Sequence, residues 1–131
     1  MVHLVVTDMK WILYSLINIL LPTVVWASVD AGNIGSIKGS GVLERGNTVI
    51  EGSTGVGVMS MDTAVTARGR MQIDFIDETR VDITEHSRLL IDEFVYDPGA
   101  GQASLGLKAT MGTVRYASGQ IAKNFKQNVR I

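Results

Sequence analysis

Cysteine is absent from the 131 residues, which excludes a disulfide framework, a thiol nucleophile and a thiolate metal centre. Aromatic residues are scarce, at 6% of the chain, and both tryptophans, Trp11 and Trp26, fall within the first 27 residues. Carbohydrate platforms built from exposed tryptophan or tyrosine are therefore disfavoured. Neither sign of charge dominates: the formal net charge is -1, so nothing in the total suggests nucleic acid as a partner. What is present is a globular composition, 46% hydrophobic and 19% charged, at a length that suits one domain and not a multi-domain enzyme.

The one long apolar run stands near the start. After Lys10 it extends from Trp11 to Ala27, interrupted only by Ser15, Asn18, Pro22 and Thr23. That is at the short limit for a membrane span. Pro22 breaks a helix just ahead of Val25-Trp26-Ala27, whose small residues at the third and first positions suit signal peptidase. Residues 1–27 are expected to be a signal peptide cut between Ala27 and Ser28, leaving 28–131 as one periplasmic or secreted β-domain with no membrane span after cleavage. An uncleaved anchor is the other reading. Asp8 offsets Lys10, and Met9-Lys10-Trp11-Ile12-Leu13 makes a better signal start, so Met9 is a second candidate initiator.

The remainder reads as short strands. Glycines punctuate residues 32–57, with short apolar pieces between them and no sustained helical period. Gly55-Val56-Gly57 lacks the third glycine and the strand-to-helix context of a phosphate loop and reads as a turn. In Arg70–Phe75, and again in Arg80–Thr84, apolar and polar residues alternate, each strand burying one face. Joined by a three-residue loop, Ile76-Asp77-Glu78, they pair Phe75 with Thr79, Asp74 with Arg80 and Ile73 with Val81, which aligns the two apolar faces. The last loop residue, Glu78, must then take a left-handed conformation without being glycine. Stacked arches that do not hydrogen-bond to each other fit the alternation equally well. A more central strand is expected over Arg88–Tyr96, a turn at Asp97-Pro98-Gly99, and two further strands over Ala103–Tyr116 with Gly112 between them or at a bulge. The fold class is all-β: short, mostly antiparallel strands in a small sandwich or roll.

Charge is segregated along this domain. Residues 62–97 hold nine acids against four arginines, whereas 98–131 hold no acid and five cations, Lys108, Arg115, Lys123, Lys126 and Arg130. Neighbouring strands that complement each other's wet faces account for this; a basic C-terminal surface for a partner or anionic lipid is the sharper reading. Catalytic constellations are weak. His86 is the one histidine after the leader and lies too close to Ser87 in sequence for a triad, while Asp74 and Asp82 occupy a wet strand face. Asp92, Glu93 and Asp97 lack the spacing of a calcium loop. No catalytic, cofactor-binding or metal-ligating residue is assigned, and no cofactor is expected.

Several segments, taken in order, resemble the FecR domain family. They are Gly32-Asn33-Ile34-Gly35 with Gly39, Leu43-Glu44-Arg45-Gly46, Met61 through Thr66, Arg70 through Thr79, Ser87 through Ile91, and Gly112-Thr113-Val114-Arg115-Tyr116 with Gly119. The likeness covers nearly all of 32–131. It departs at Glu78, where the family has glycine, and after Val129-Arg130-Ile131, where the family continues into a Thr-Pro-rich segment and a further strand. Either the reading frame is truncated or another chain supplies that strand. The resemblance implies a periplasmic β-domain. It does not carry over the anti-sigma role of the founding members, whose helical cytoplasmic domain and membrane span have no counterpart in this sequence. The expected function is protein binding or scaffolding in the cell envelope, without catalysis; a glycan- or peptidoglycan-associated module is the alternative. The expected contact residues are those of an open sheet edge near the end of the chain, Lys123, Lys126, Asn128, Arg130 and Ile131, where homo-oligomers also become possible.

Overall fold

A computed structural model describes residues 30–131; the expected signal peptide, its cleavage point and the alternative start at Met9 lie outside the described residues. The chain forms β1 (Gly32–Arg45), β2 (Thr48–Glu51), β3 (Gly57–Val58), β4 (Thr63–Phe75), β5 (Arg80–Ile83), β6 (Arg88–Asp97), β7 (Gln102–Met111), β8 (Val114–Ala117), a single helical turn α1 (Gln120–Asn124) and β9 (Val129–Arg130). The nine strands of the described residues belong to one sheet, and their pairings are antiparallel except that of β7 with β9. The fold is all-β.

The sheet curls because β1 and β4 serve two halves of it. Their C-terminal and N-terminal parts respectively pair as Gly41–Glu44 against Thr63–Thr66, alongside β2, β6, β7 and β9. Their other ends pair as Gly32–Gly39 against Gly69–Phe75, alongside β3, β5 and β8. Between the halves the register slips at Gly39/Gly41, where Gly39 has a φ of 74°. A side chain on Gly39 or Gly69 would collide with the facing backbone, so this bend requires two glycines. The roll closes over one core, in which Ile34, Met71, Ile73, Val81 and Ile83 of one half meet Leu89, Ile91, Leu105 and Leu107 of the other. Phe75 of β4 stacks on Phe94 of β6, with ring centroids 5.1 Å apart, and ties the halves together.

The hairpin of β4 and β5 has the register that burial dictates, with Ile73 opposite Val81 and Asp74 opposite Arg80. Glu78 closes its loop at a φ of 72°. Two expectations need correcting. The glycine-rich first third is only partly short pieces: β2 and β3 are short, but β1 runs for 14 residues, with bulges at Gly35 and between Gly39 and Gly41 inside one strand. β4 likewise begins at Thr63, seven residues before the alternation becomes regular at Arg70. Both strands cross the bend, and a strand passing from one half to the other cannot hold a single period-two pattern.

Candidate functional site

Three buried polar residues, Asp62, Asp77 and Ser87, are internal fasteners. Asp62 is fully buried and receives two hydrogen bonds from Arg45, at 2.9 and 2.8 Å, plus one from the Met59 N–H at 2.9 Å. That carboxylate raises the pKa of the Arg45 guanidinium. Asp77 is also fully buried. It accepts from the Thr79 hydroxyl at 2.7 Å, the Thr79 N–H at 3.0 Å and the Ile121 N–H at 3.1 Å, while its carbonyl accepts from the Gln120 N–H at 2.7 Å. The hairpin loop thus holds the start of α1 and seats Ile121 in the core. Gly119 precedes α1 because a side chain there would strike Thr79 and Asp77. Ser87 is buried too, its hydroxyl accepting from the Thr113 N–H at 3.2 Å, with Gly112 pressed against it at a φ of 80°. His86 sits exposed in the preceding turn at a φ of 51° and makes no side-chain hydrogen bond among the described residues. No group of three or more metal-ligating side chains occurs among the described residues.

The C-terminal edge is a different environment. β9 lies outermost beside β7 and pairs it through Leu105–Val129 and Gly106–Arg130. The expected contact residues divide there. Asn128 donates to the Ala103 carbonyl at 2.9 Å and so clamps the edge to β7. Arg130 binds Glu93 at 2.9 Å and approaches Asp92 at 3.9 Å. Lys123 and Lys126 project from the turns before β9, exposed and in no ion pair among the described residues. Ile131 is 69% exposed at the lip of a groove of about 340 Å³, which is also lined by Leu89, Leu107, Ala109, Val114 and Tyr116. Of the five cations in residues 98–131, Arg130 forms an ion pair with Glu93, and Arg115 stands directly opposite Asp82 across β5 and β8 without reaching ion-pair distance.

Tyr116 is the groove residue that sequence reasoning missed. Its hydroxyl is buried and has no hydrogen-bond partner among the described residues. Burial, and secondarily the charge of Asp77, raises its pKa. Its inward direction was readable from the alternation of Val114 and Tyr116 with Arg115 and Ala117, but the groove was not. The walls come from β6, β7, β8 and the last residue, and nothing local links them. On the groove's other side β8 pairs only β5 among the described residues, which leaves its outer edge, like that of β9, without a strand partner among them.

A second assembly occupies the outward face of β1, β4, β5 and β8. Register aligns Ser36, Gln72, Asp82 and Arg115 in one row, and sets Lys38 directly opposite Arg70 in the next. These residues and Thr84 line an open groove of about 350 Å³. Comparison with protein-family models, curated proteins and solved structures finds no match to this chain.

Proposed function

We propose that this chain is an exported, FecR-like module that binds protein or scaffolds in the cell envelope, in the periplasm or outside the cell, and does so without catalysis. The observation that carries the reading is the pair of strand edges, β8 and β9, that have no outer strand partner among the described residues and stand on either side of an apolar groove. An unpaired edge offers a row of N–H and C=O groups to an incoming strand, and neighbouring apolar hollows select its alternate side chains. The occupant is an extended segment of another envelope protein. Lys123 and Lys126, exposed in the turns before β9, favour an acidic partner.

Capture from envelope extract by the wild-type protein, set against Ile131→Asp, tests this reading. Ile131 is exposed, so the variant keeps the fold while placing a charge at the lip. A protein captured by the wild type and lost from Ile131→Asp supports the proposal. Capture unchanged by Ile131→Asp removes the edge from it. Pelleting with cell-wall sacculi in place of protein capture favours the glycan alternative, and a concentration-dependent dimer disrupted by Ile131→Asp makes the occupant a second copy of this chain.

A further inference from the structure

We propose that the outward face of β1, β4, β5 and β8 is an oxyanion-binding groove, in which Lys38, Arg70 and Arg115 receive a phosphate or carboxylate group carried on a hydroxyl-bearing ligand. This inference uses no strand edge and stands independently of the protein-docking reading.

The argument begins with register. Lys38 and Arg70 are direct cross-strand partners. Like charges placed directly opposite on a sheet destabilise it, and one strand over, the same sheet relieves Arg80 with Asp74 at 3.0 Å. Lys38 and Arg70 receive no such relief: neither forms an ion pair among the described residues, and nor do Arg115 across the groove or Arg68 beside it. Two acids face these cations. Asp82 lies in the row between Gln72 and Arg115, and Glu85 lies beside Arg68 and Arg70; neither approaches a cation within ion-pair distance.

The pattern also specifies the ligand. Cations stand at the two sides of the groove, with Ser36, Gln72, Thr84 and one carboxylate, Asp82, between them. A bare polyanion would be repelled by Asp82, whereas a ligand with an anionic group and hydroxyls can donate to it. The volume, about 350 Å³, is that of a small-molecule site. No aromatic ring lines the groove, so recognition rests on charge and hydrogen bonding and weakens with salt.

Amide chemical-shift titration with glycerol phosphate and with glycerate, each an anionic group on a hydroxyl-bearing carbon chain, at low and at physiological salt, tests the proposal. The expected result is saturable shifts centred on Lys38, Arg70 and Arg115, with affinity reduced at least tenfold in Arg70→Gln and in Lys38→Gln and unchanged in Lys108→Gln. Preference for glycerol phosphate identifies a phosphate ligand, and preference for glycerate a carboxylate. Because the substituted side chains are exposed, unaltered melting of the variants separates lost binding from lost fold. Affinity within twofold of wild type in Arg70→Gln and Lys38→Gln overturns the proposal, as do shifts spread evenly over all surface cations. Either failure leaves the Ile131 experiment untouched.

Discussion

Glu78 sits at a φ of 72°, in a conformation that an L side chain enters at a cost of roughly 1 kcal/mol. It stays because the hairpin needs a left-handed residue after Asp77 if Ile73 and Val81 are to share the core. Its side chain is exposed and makes one long hydrogen bond, 3.3 Å from Gln120. Glu78→Gly is therefore expected to stabilise the protein by about 0.5–1 kcal/mol, read as a higher urea midpoint at unchanged slope. A lower midpoint would mean that the Gln120 contact outweighs backbone strain. This residue was legible from sequence because register, loop length and burial all constrain it locally. Asp77 beside it was not: an acid in a hairpin loop reads as solvated, and only the return of α1, with Ile121 44 residues away in sequence, buries it.

Between elements, that same carboxylate decides whether α1 is part of the fold. α1 is a single turn of five residues, too short to persist in water without tertiary support. Asp77→Ala removes the acceptor for the Ile121 N–H and both Thr79 donors while those groups stay buried. The expected cost is about 3 kcal/mol. Hydrogen exchange should show protection lost first at Ile121, ahead of β4 and β5. Uniform loss across the sheet would mean that Asp77 supports the whole hairpin and not the docking of α1. Strand identity was readable where one face is buried throughout, as in β5 and the end of β4. It was unreadable through β1, since two bulges there reassign which residues face inward.

For the whole molecule, the curl of the sheet places ionisable groups in surroundings their neighbours in sequence do not predict. Tyr116 is kept protonated by burial and by Asp77, so its folded pKa exceeds the unfolded value of about 10. The folded state then binds this proton more tightly than the unfolded state does. The resulting stability is complete below the unfolded pKa and is lost as pH rises through the folded one. Thermal melting should accordingly decline in the alkaline range above about pH 10. Tyr116→Phe should flatten that decline, and by deleting an unpartnered buried hydroxyl it should leave neutral-pH stability close to wild type. An identical alkaline decline in the variant would assign it to other groups.

The amino-acid sequence by itself determined the all-β class, the turn at Asp97-Pro98-Gly99 and the segregation of charge, and it specified the register and the strain at Glu78 on condition that the two alternating segments pair as a hairpin. Each follows from alternation, turn chemistry or composition, which act over a few residues. Only the tertiary structure decided that one sheet curls on paired glycines, and that Asp62 and Asp77 are buried fasteners. It likewise decided that Asn128 and Arg130 are engaged within the chain while Ile131 borders an apolar groove, and that Lys38, Arg70 and Arg115 share one face. Those outcomes depend on which distant strands become neighbours, and pairing between distant strands is set by how the whole apolar surface closes on itself.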